Sequence, residues 1–254
     1  MAQLQSLIQD AINLFRQSRY SVALTGAGIS TPSGIPDFRS PASGVWNNVD
    51  PIEVASIHAF RHNPRAFYDW FYPLTKQIRE AKPNAAHMAL ADLERGGFLR
   101  SVITQNIDIL HTQAGSKNVY ELHGHLREAT CMTCHTVYNG ETILSEFIDT
   151  RQVPTCTMCQ GVLKPNIILY GEVLPTSILK KAQQSVMATE LMLVAGSSLE
   201  VSPAGDMPWL AKQAGAKLIF VNLSETYLDN VADLVIHADV VDVLPQIAKA
   251  LMSE

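Results

Sequence analysis

No stretch of this 254-residue sequence approaches the roughly 18 to 20 consecutive apolar residues that a membrane-spanning helix requires. Met1 to Ile12 carries Gln and Asp where an export signal would place a basic start and an apolar stretch, so a cytoplasmic location is expected, with no membrane partner. Basic charge is also scarce, with 19 Lys and Arg against 24 Asp and Glu and a formal net charge of −5. That balance works against non-specific nucleic-acid binding, which depends on basic side chains neutralising phosphates, and no specific nucleic-acid partner is expected. Cysteine occurs only four times, in two tight pairs, which in a reducing compartment points to metal ligands before disulfides. There is no internal repeat and no low-complexity tract. The remainder, 47% hydrophobic and 17% charged, is the makeup of one large globular domain or of a domain with a small lobe.

Short apolar runs at Val22–Thr25, Val102–Thr104, Val119–Leu122, Ile167–Tyr170, Leu191–Ala195, Leu218–Val221 and Leu234–Ile236 read as buried strands. Helical periodicity falls between them, around Pro64–Ile78, Asn84–Arg95, Pro175–Met187, Pro203–Ala214 and Val241–Leu251. An opening helix aligns Leu4, Leu7, Ile8, Ala11, Ile12 and Phe15 on one stripe that should pack against a sheet. Such alternation predicts an α/β architecture, a Rossmann-like, mostly parallel sheet with helices on both faces. Two stretches break the rhythm. Ser40–Ile57, with Pro41, Gly44, Asn47, Asn48 and Pro51, has the composition of a long loop. His125–Lys164 holds all four cysteines and few apolar residues, as a separate small lobe would. The expected division is a large part over about 1–39, 84–124 and 165–254, and a small lobe of a loop and helical segment over about 36–83 with a cysteine ribbon over about 125–164.

Three polar clusters follow apolar runs: Gly26-Ala27-Gly28-Ile29-Ser30, Gln105-Asn106-Ile107-Asp108 and His123-Gly124. Loops beyond the carboxyl ends of parallel strands meet at one crevice, and nucleotides bind there. Glycines after Val22–Thr25 would let backbone N–H groups approach a pyrophosphate, but Thr31 stands where the third glycine of the usual fingerprint falls, so the turn alone could equally bind nothing. Gly196-Ser197-Ser198 reads as a second anion cradle or as a structural turn. Cys131-x-x-Cys134 and Cys156-x-x-Cys159, about twenty residues apart, match a four-cysteine zinc ribbon, in which four protein ligands leave no open position and the metal is structural. A redox disulfide pair is the competing reading. His123 is placed where a neutral imidazole could take a proton from a sugar hydroxyl, whereas His58, His62, His87, His111, His125, His135 and His237 read as surface or core material. Asn106 and Asp108, two apart in one loop, could orient a sugar or water and accept hydrogen bonds from a carboxamide, or serve only the turn.

The continuation Ser30-Thr31-Pro32-Ser33-Gly34-Ile35-Pro36-Asp37-Phe38-Arg39 resembles the cofactor loop of the sirtuins, a family of NAD-dependent protein lysine deacylases. The resemblance extends in family order through Thr104-Gln105-Asn106-Ile107-Asp108, Leu122-His123-Gly124, the paired cysteines, Tyr170-Gly171-Glu172, Gly196-Ser197-Ser198 and Val221-Asn222. It covers nearly the whole chain and is that of a bacterial-type minimal catalytic core. It implies NAD as co-substrate, a structural Zn2+, and conversion of acyl-lysine peptides or proteins to lysine, nicotinamide and O-acyl-ADP-ribose by a monomer. His123, as general base, and Asn106 are implied as catalytic. The implied cofactor contacts in the first loop are Gly26, Ala27, Gly28, Ser30, Thr31, Asp37, Phe38 and Arg39, with Phe38 shielding the reacting end from water. Gln105 and Asn106 would face the ribose, and Ile107 and Asp108 the nicotinamide. Gly196, Ser197 and Ser198 would form the second cradle, Asn222 and Leu223 would hold the adenosine ribose, and Asp239 and Val240 would border the adenine. Ile168, Tyr170, Gly171, Glu172 and Val201 would flank the peptide as an added strand.

Sirtuins that remove acidic acyl groups carry a Tyr-x-x-Arg pair in the helical segment. Here Pro73 and Thr75 fall near those places, so acetyl and other uncharged acyl groups are expected to be favoured. The rival readings are a nicotinamide-cofactor dehydrogenase, a protein ADP-ribosyltransferase using the same residues, and a zinc-ribbon adaptor without turnover.

Overall fold

The protein is described by a computed structural model over residues 2–37 and 49–253. Nine strands run along the described chain: β1 (Ser21–Thr25), β2 (Ser101–Thr104), β3 (Val119–Glu121), β4 (Gly124–Cys131), β5 (Val137–Asn139), β6 (Leu163–Ile167), β7 (Leu191–Ala195), β8 (Lys217–Asn222) and β9 (Leu234–His237). The helices are α1 (Ala2–Gln17), α2 (Pro51–Ala55), α3 (Ile57–His62), α4 (Pro64–Glu80), α5 (Ala85–Arg95), α6 (Leu110–Ala114), α7 (Gly140–Thr150), α8 (Thr176–Ala188), α9 (Met207–Gln213) and α10 (Val240–Met252).

Six strands form one parallel sheet in the order β3-β2-β1-β7-β8-β9. Side chains alternate across its faces. Ala23, Val102, Leu193, Ile219 and Ile236 pack under α1, α5 and α10, together with Phe15, Leu90 and Ile247. Val22, Leu24, Ile103, Met192 and Phe220 pack on the other face with Val186 of α8 and Ala211 of α9. Burial on both faces is why the central strands β1, β2, β7 and β8 carry apolar runs without polar alternation. The order turns at β1, since the chain first builds outward through β2 and β3 and later returns to the opposite edge of β1 with β7. The loops after β1 and β7 therefore open side by side at a topological switch point.

A second, antiparallel sheet of order β5-β4-β6 carries the cysteines. Its own core is small, consisting of Ala129, Cys131, Ile143, Cys156 and Leu163. Larger support comes from an aromatic cluster in which Phe60, Phe67, Tyr68 and Phe71 meet Phe147 of α7. The Tyr68 and Phe147 rings lie 4.9 Å apart, and the Tyr68 hydroxyl donates to the Leu163 carbonyl at 2.6 Å. That hydroxyl bond docks α4 onto β6.

Three expected elements differ. The strand expected at Ile167–Tyr170 ends at Ile167, where it pairs with β4, and Tyr170 makes only a single parallel bridge with Ser56. Lys164 and Asn166 interrupt the apolar run of β6, which therefore lacks the signature of a buried strand. The helix expected from Pro203 begins at Met207, after a turn. Within Ser40–Ile57, Pro51–Ala55 is helical, with the Asp50 side chain accepting from the Ile52 N–H.

Candidate active site

A cavity of about 730 Å3 opens where the loops after β1, β2, β3, β7 and β8 converge. Its floor is the backbone contact between two of them. The Gly28 N–H donates to the Gly196 carbonyl at 2.8 Å. A Cβ on Gly28 would fall 2.8 Å from that oxygen, and one on Gly196, at φ +63°, would fall 2.2 Å from the Ile29 nitrogen. Only glycine allows this approach. The Ser197 N–H donates to Asn222 Oδ1 at 2.9 Å, and the Gln105 amide donates to Ser197 Oγ at 2.9 Å, so the strand-end loops are stitched together. Asn222 Nδ2 is buried at the cavity wall with no partner among the described residues, a donor available to a sugar hydroxyl.

Asn106, Ser30 and Asp108 form a buried set behind the first loop. Asn106 Nδ2 donates to the Gly26 carbonyl at 3.0 Å and to Ser30 Oγ at 3.1 Å. Ser30 donates in turn to Asp108 Oδ2 at 2.6 Å, and Asp108 Oδ1 accepts the Leu110 N–H at 3.0 Å. Burial raises the Asp108 pKa, while the Ser30 and Leu110 donors lower it. Ile109, between them, is held at φ +61°. A β-branched residue in that region is strained, at a cost of about 1–3 kcal/mol, and here it lies next to Asp108.

His123 lies half-buried at the cavity wall, and its Nδ1 is 3.0 Å from the Gln105 carbonyl. A carbonyl can only accept, so Nδ1 carries the proton and Nε2 keeps its lone pair. Burial lowers the His123 pKa, and the bond to Gln105 partly opposes this. The ring is therefore neutral at pH 7 and able to accept a proton.

His87 and His111, grouped above with structural histidines, are indeed core residues, but they brace this site. His87 Nδ1 accepts the Asn84 N–H at 3.3 Å, so Nε2 is protonated and faces Ser30 Oγ at 3.4 Å. His111 Nε2 lies 2.9 Å from Thr25 Oγ1, which bonds Thr104 at 2.9 Å. The two rings meet edge to face at 4.9 Å. Nothing local in the sequence marks Ser30 as a partner of His87 or Thr25 as a partner of His111, since they lie 57 and 86 residues apart.

Most sequence-predicted residues converge here. Gly26, Ala27, Gly28, Thr31, Asp37, Gln105, Asn106, Ile107 and His123 line the cavity, as do Gly196, Ser197, Ser198, Asn222, Leu223, Asp239 and Val240. Ile168, Tyr170, Gly171, Glu172 and Val201 line it as well. Ser30 and Asp108 stand behind the wall. Phe38 and Arg39 lie outside the described residues. Trp70, Phe71 and Leu74 of α4 also line the cavity and are not among the predicted site residues, because an aromatic helical stripe reads as core. They replace Pro73 and Thr75 as the α4 positions relevant to the cavity. Thr75 is buried and donates to the Tyr72 carbonyl.

The ribbon cysteines are separate from this cavity. All four sulfurs lie within 4.8 Å of one another, and Cys131–Cys159 and Cys134–Cys156 are each 3.5 Å apart. Tetrahedral thiolates at about 2.3 Å from zinc stand roughly 3.8 Å apart, whereas a disulfide needs about 2.05 Å. The four cysteines are thus unpaired and gathered for one metal, which sets aside the redox-disulfide reading. The Tyr138 hydroxyl reaches Cys156 Sγ at 3.0 Å and Thr136 Oγ1 reaches Cys134 Sγ at 3.2 Å, as donors to thiolates would.

Fold, crevice and cysteine cluster together define a nucleotide-binding α/β protein with a structural zinc ribbon. The chain belongs to the Sir2 family, whose model matches residues 26–203. It is 43% identical over 242 residues to an NAD-dependent protein deacetylase of Sulfurisphaera tokodaii, covering 95% of each chain. It is 42% identical over 251 residues to NAD-dependent protein deacylase 2 of Archaeoglobus fulgidus, covering 97% of this chain and 98% of that one. A solved Sir2 complex with p53 peptide and NAD+ superposes with a TM-score of 0.88 at 40% identity, over 97% of this chain and 99% of the other. A Sir2 structure with deacetylated p53 peptide and 3′-O-acetyl ADP ribose gives 0.91 at 41% identity, over 96% and 98%.

Proposed function

We propose that this protein is an NAD-dependent protein lysine deacylase that favours acetyl and other uncharged acyl groups. The observation that carries the reading is the neutral His123 at the cavity wall, with its Nδ1 proton committed to the Gln105 carbonyl and its Nε2 lone pair available. NAD is the co-substrate, and in its cleavage the acyl-lysine oxygen replaces nicotinamide at the ribose.

Each residue then has a task. His123 accepts a proton from a ribose hydroxyl as general base. Asn106 orients the ribose side, held by the Gly26 carbonyl and Ser30. Asp108 and Ile107 serve the nicotinamide end. Gly26, Ala27, Gly28, Gly196, Ser197 and Ser198 suit the phosphates, and Asn222, Leu223, Asp239 and Val240 suit the adenosine. Zinc at Cys131, Cys134, Cys156 and Cys159 holds the ribbon and takes no part in the reaction.

Acyl preference follows from α4. Trp70, Phe71 and Leu74 give the cavity an apolar wall with no cation from that helix to pair with a carboxylate. Purified protein with NAD and matched peptides should deacylate acetyl-lysine faster than succinyl-lysine. A faster succinyl reaction would overturn the preference, and deacetylation that proceeds without NAD would overturn the function.

A further inference from the structure

Lys164 sits in β6 with only 10% of its side chain exposed. Its Nζ donates to the Ile167 carbonyl at 2.7 Å and the Pro165 carbonyl at 3.3 Å, and pairs with Glu172 Oε2 at 2.9 Å. The same Glu172 oxygen accepts the Leu169 N–H at 2.8 Å, while the Glu172 N–H donates to the Leu169 carbonyl at 3.0 Å. One enclosed ammonium therefore ties the end of β6 to the five residues that follow it.

Those five residues are bonded on both sides. The Ile168 N–H donates to the His123 carbonyl at 2.8 Å. The Tyr170 N–H donates to the Ala55 carbonyl, and the Ile57 N–H to the Tyr170 carbonyl, each at 2.9 Å. The segment thus runs from the backbone of the general base to α2 and α3, and residues 168–172 line the cavity throughout. A buried ammonium with one carboxylate partner is a poor device for stability alone, since an apolar side chain of similar volume often serves as well. Burial pulls the Lys164 pKa down and Glu172 pulls it back up, in keeping with an enclosed pair.

We infer that Lys164 is a positioning residue for substrate: through Glu172 and the Ile167 carbonyl it fixes residues 168–172 where an acyl-lysine peptide adds as a strand. The inference rests on the deacylase reading above. Its action falls on the peptide more than on NAD, because the loops suited to the phosphates and adenosine follow β1, β7 and β8 and Lys164 bonds none of them, while its segment meets the loop after β3 through the Ile168 N–H to His123 carbonyl bond.

Steady-state kinetics with peptide and NAD varied separately test this. Lys164→Met keeps most of the side-chain volume and removes the charge. It should raise the peptide KM at least about tenfold while the NAD KM and kcat at saturating peptide stay within about twofold. Lys164→Arg should restore most of the peptide affinity. Glu172→Gln, which exchanges a single heavy atom, should also raise the peptide KM, and it supplies the comparison if the Met variant does not fold. An unmoved peptide KM in either variant would overturn the inference. So would a rise in both KM values together with a fall in kcat and melting temperature, which marks general damage. If wild-type protein shows no NAD-dependent deacylation, the deacylase reading fails and this inference with it; a normal wild type beside an unmoved variant removes the inference alone.

Discussion

At the residue scale, chemistry here is set by where a side chain is bonded more than by what it is. Eight histidines share one sequence, yet His123 alone joins a cavity wall to a backbone acceptor that fixes its tautomer. His123→Ala should keep NAD binding and lose at least about two orders of magnitude in turnover, the usual size of one general base. Titration of NAD into the variant, beside its turnover number, checks both halves. His87 makes a different prediction. Burial pulls its pKa from 6.5 down to about 4, so the unfolded chain binds a proton there that the folded protein refuses. Its contribution is complete above pH 6.5 and is lost as pH falls toward 4, where the unfolded state holds more protons. Melting temperature should therefore fall over that window, and fall less steeply in His87→Gln, whose amide can accept from Asn84 and donate to Ser30 without titrating. Equal slopes in the two proteins would contradict the assignment. His123 could be found in the sequence because it follows a strand and precedes Gly124. His87 could not be, because its bond to Ser30 spans 57 residues and forms only once α5 packs beside the first loop.

At the element scale, the central strands β1, β2, β7 and β8 were legible because burial on both faces leaves a plain apolar signature, and helices α1, α4, α5, α8 and α10 because their stripes are long. The small sheet was not. β6 places Lys164 and Asn166 between Leu163 and Ile167, and the Glu172 carboxylate and the Ile167 carbonyl, which accept from the buried lysine, are not marked in the sequence. The ribbon behaves differently again. Its core has only five residues, two of them the cysteines Cys131 and Cys156, so the metal stands in for missing apolar area. Stripping zinc with a chelator should unfold β4, β5 and β6 with α7, seen as lost circular dichroism and a lower melting temperature. Native mass spectrometry should find one zinc per chain. Active protein without metal would contradict the structural role.

At the scale of the whole molecule, the cavity exists because two bodies of structure share it. The parallel sheet brings its strand-end loops to the switch point, and α2, α4 and the segment after β6 close the opposite side. The first half of that arrangement was written in Gly26-Ala27-Gly28, Gln105-Asn106-Ile107-Asp108 and Gly196-Ser197-Ser198. The second half was hidden, because Trp70, Phe71 and Leu74 are indistinguishable in sequence from the buried Phe67 and Tyr68 beside them. A site so divided suits a reaction in which two substrates, a dinucleotide and an extended peptide, meet at His123. The most direct test is to quantify products after incubating the purified protein with NAD and an acetyl-lysine peptide. Free-lysine peptide, nicotinamide and O-acetyl-ADP-ribose should accumulate in equal amounts, and none should form when NAD is left out. Deacetylated peptide that outruns nicotinamide, or appears without the dinucleotide, would contradict the account.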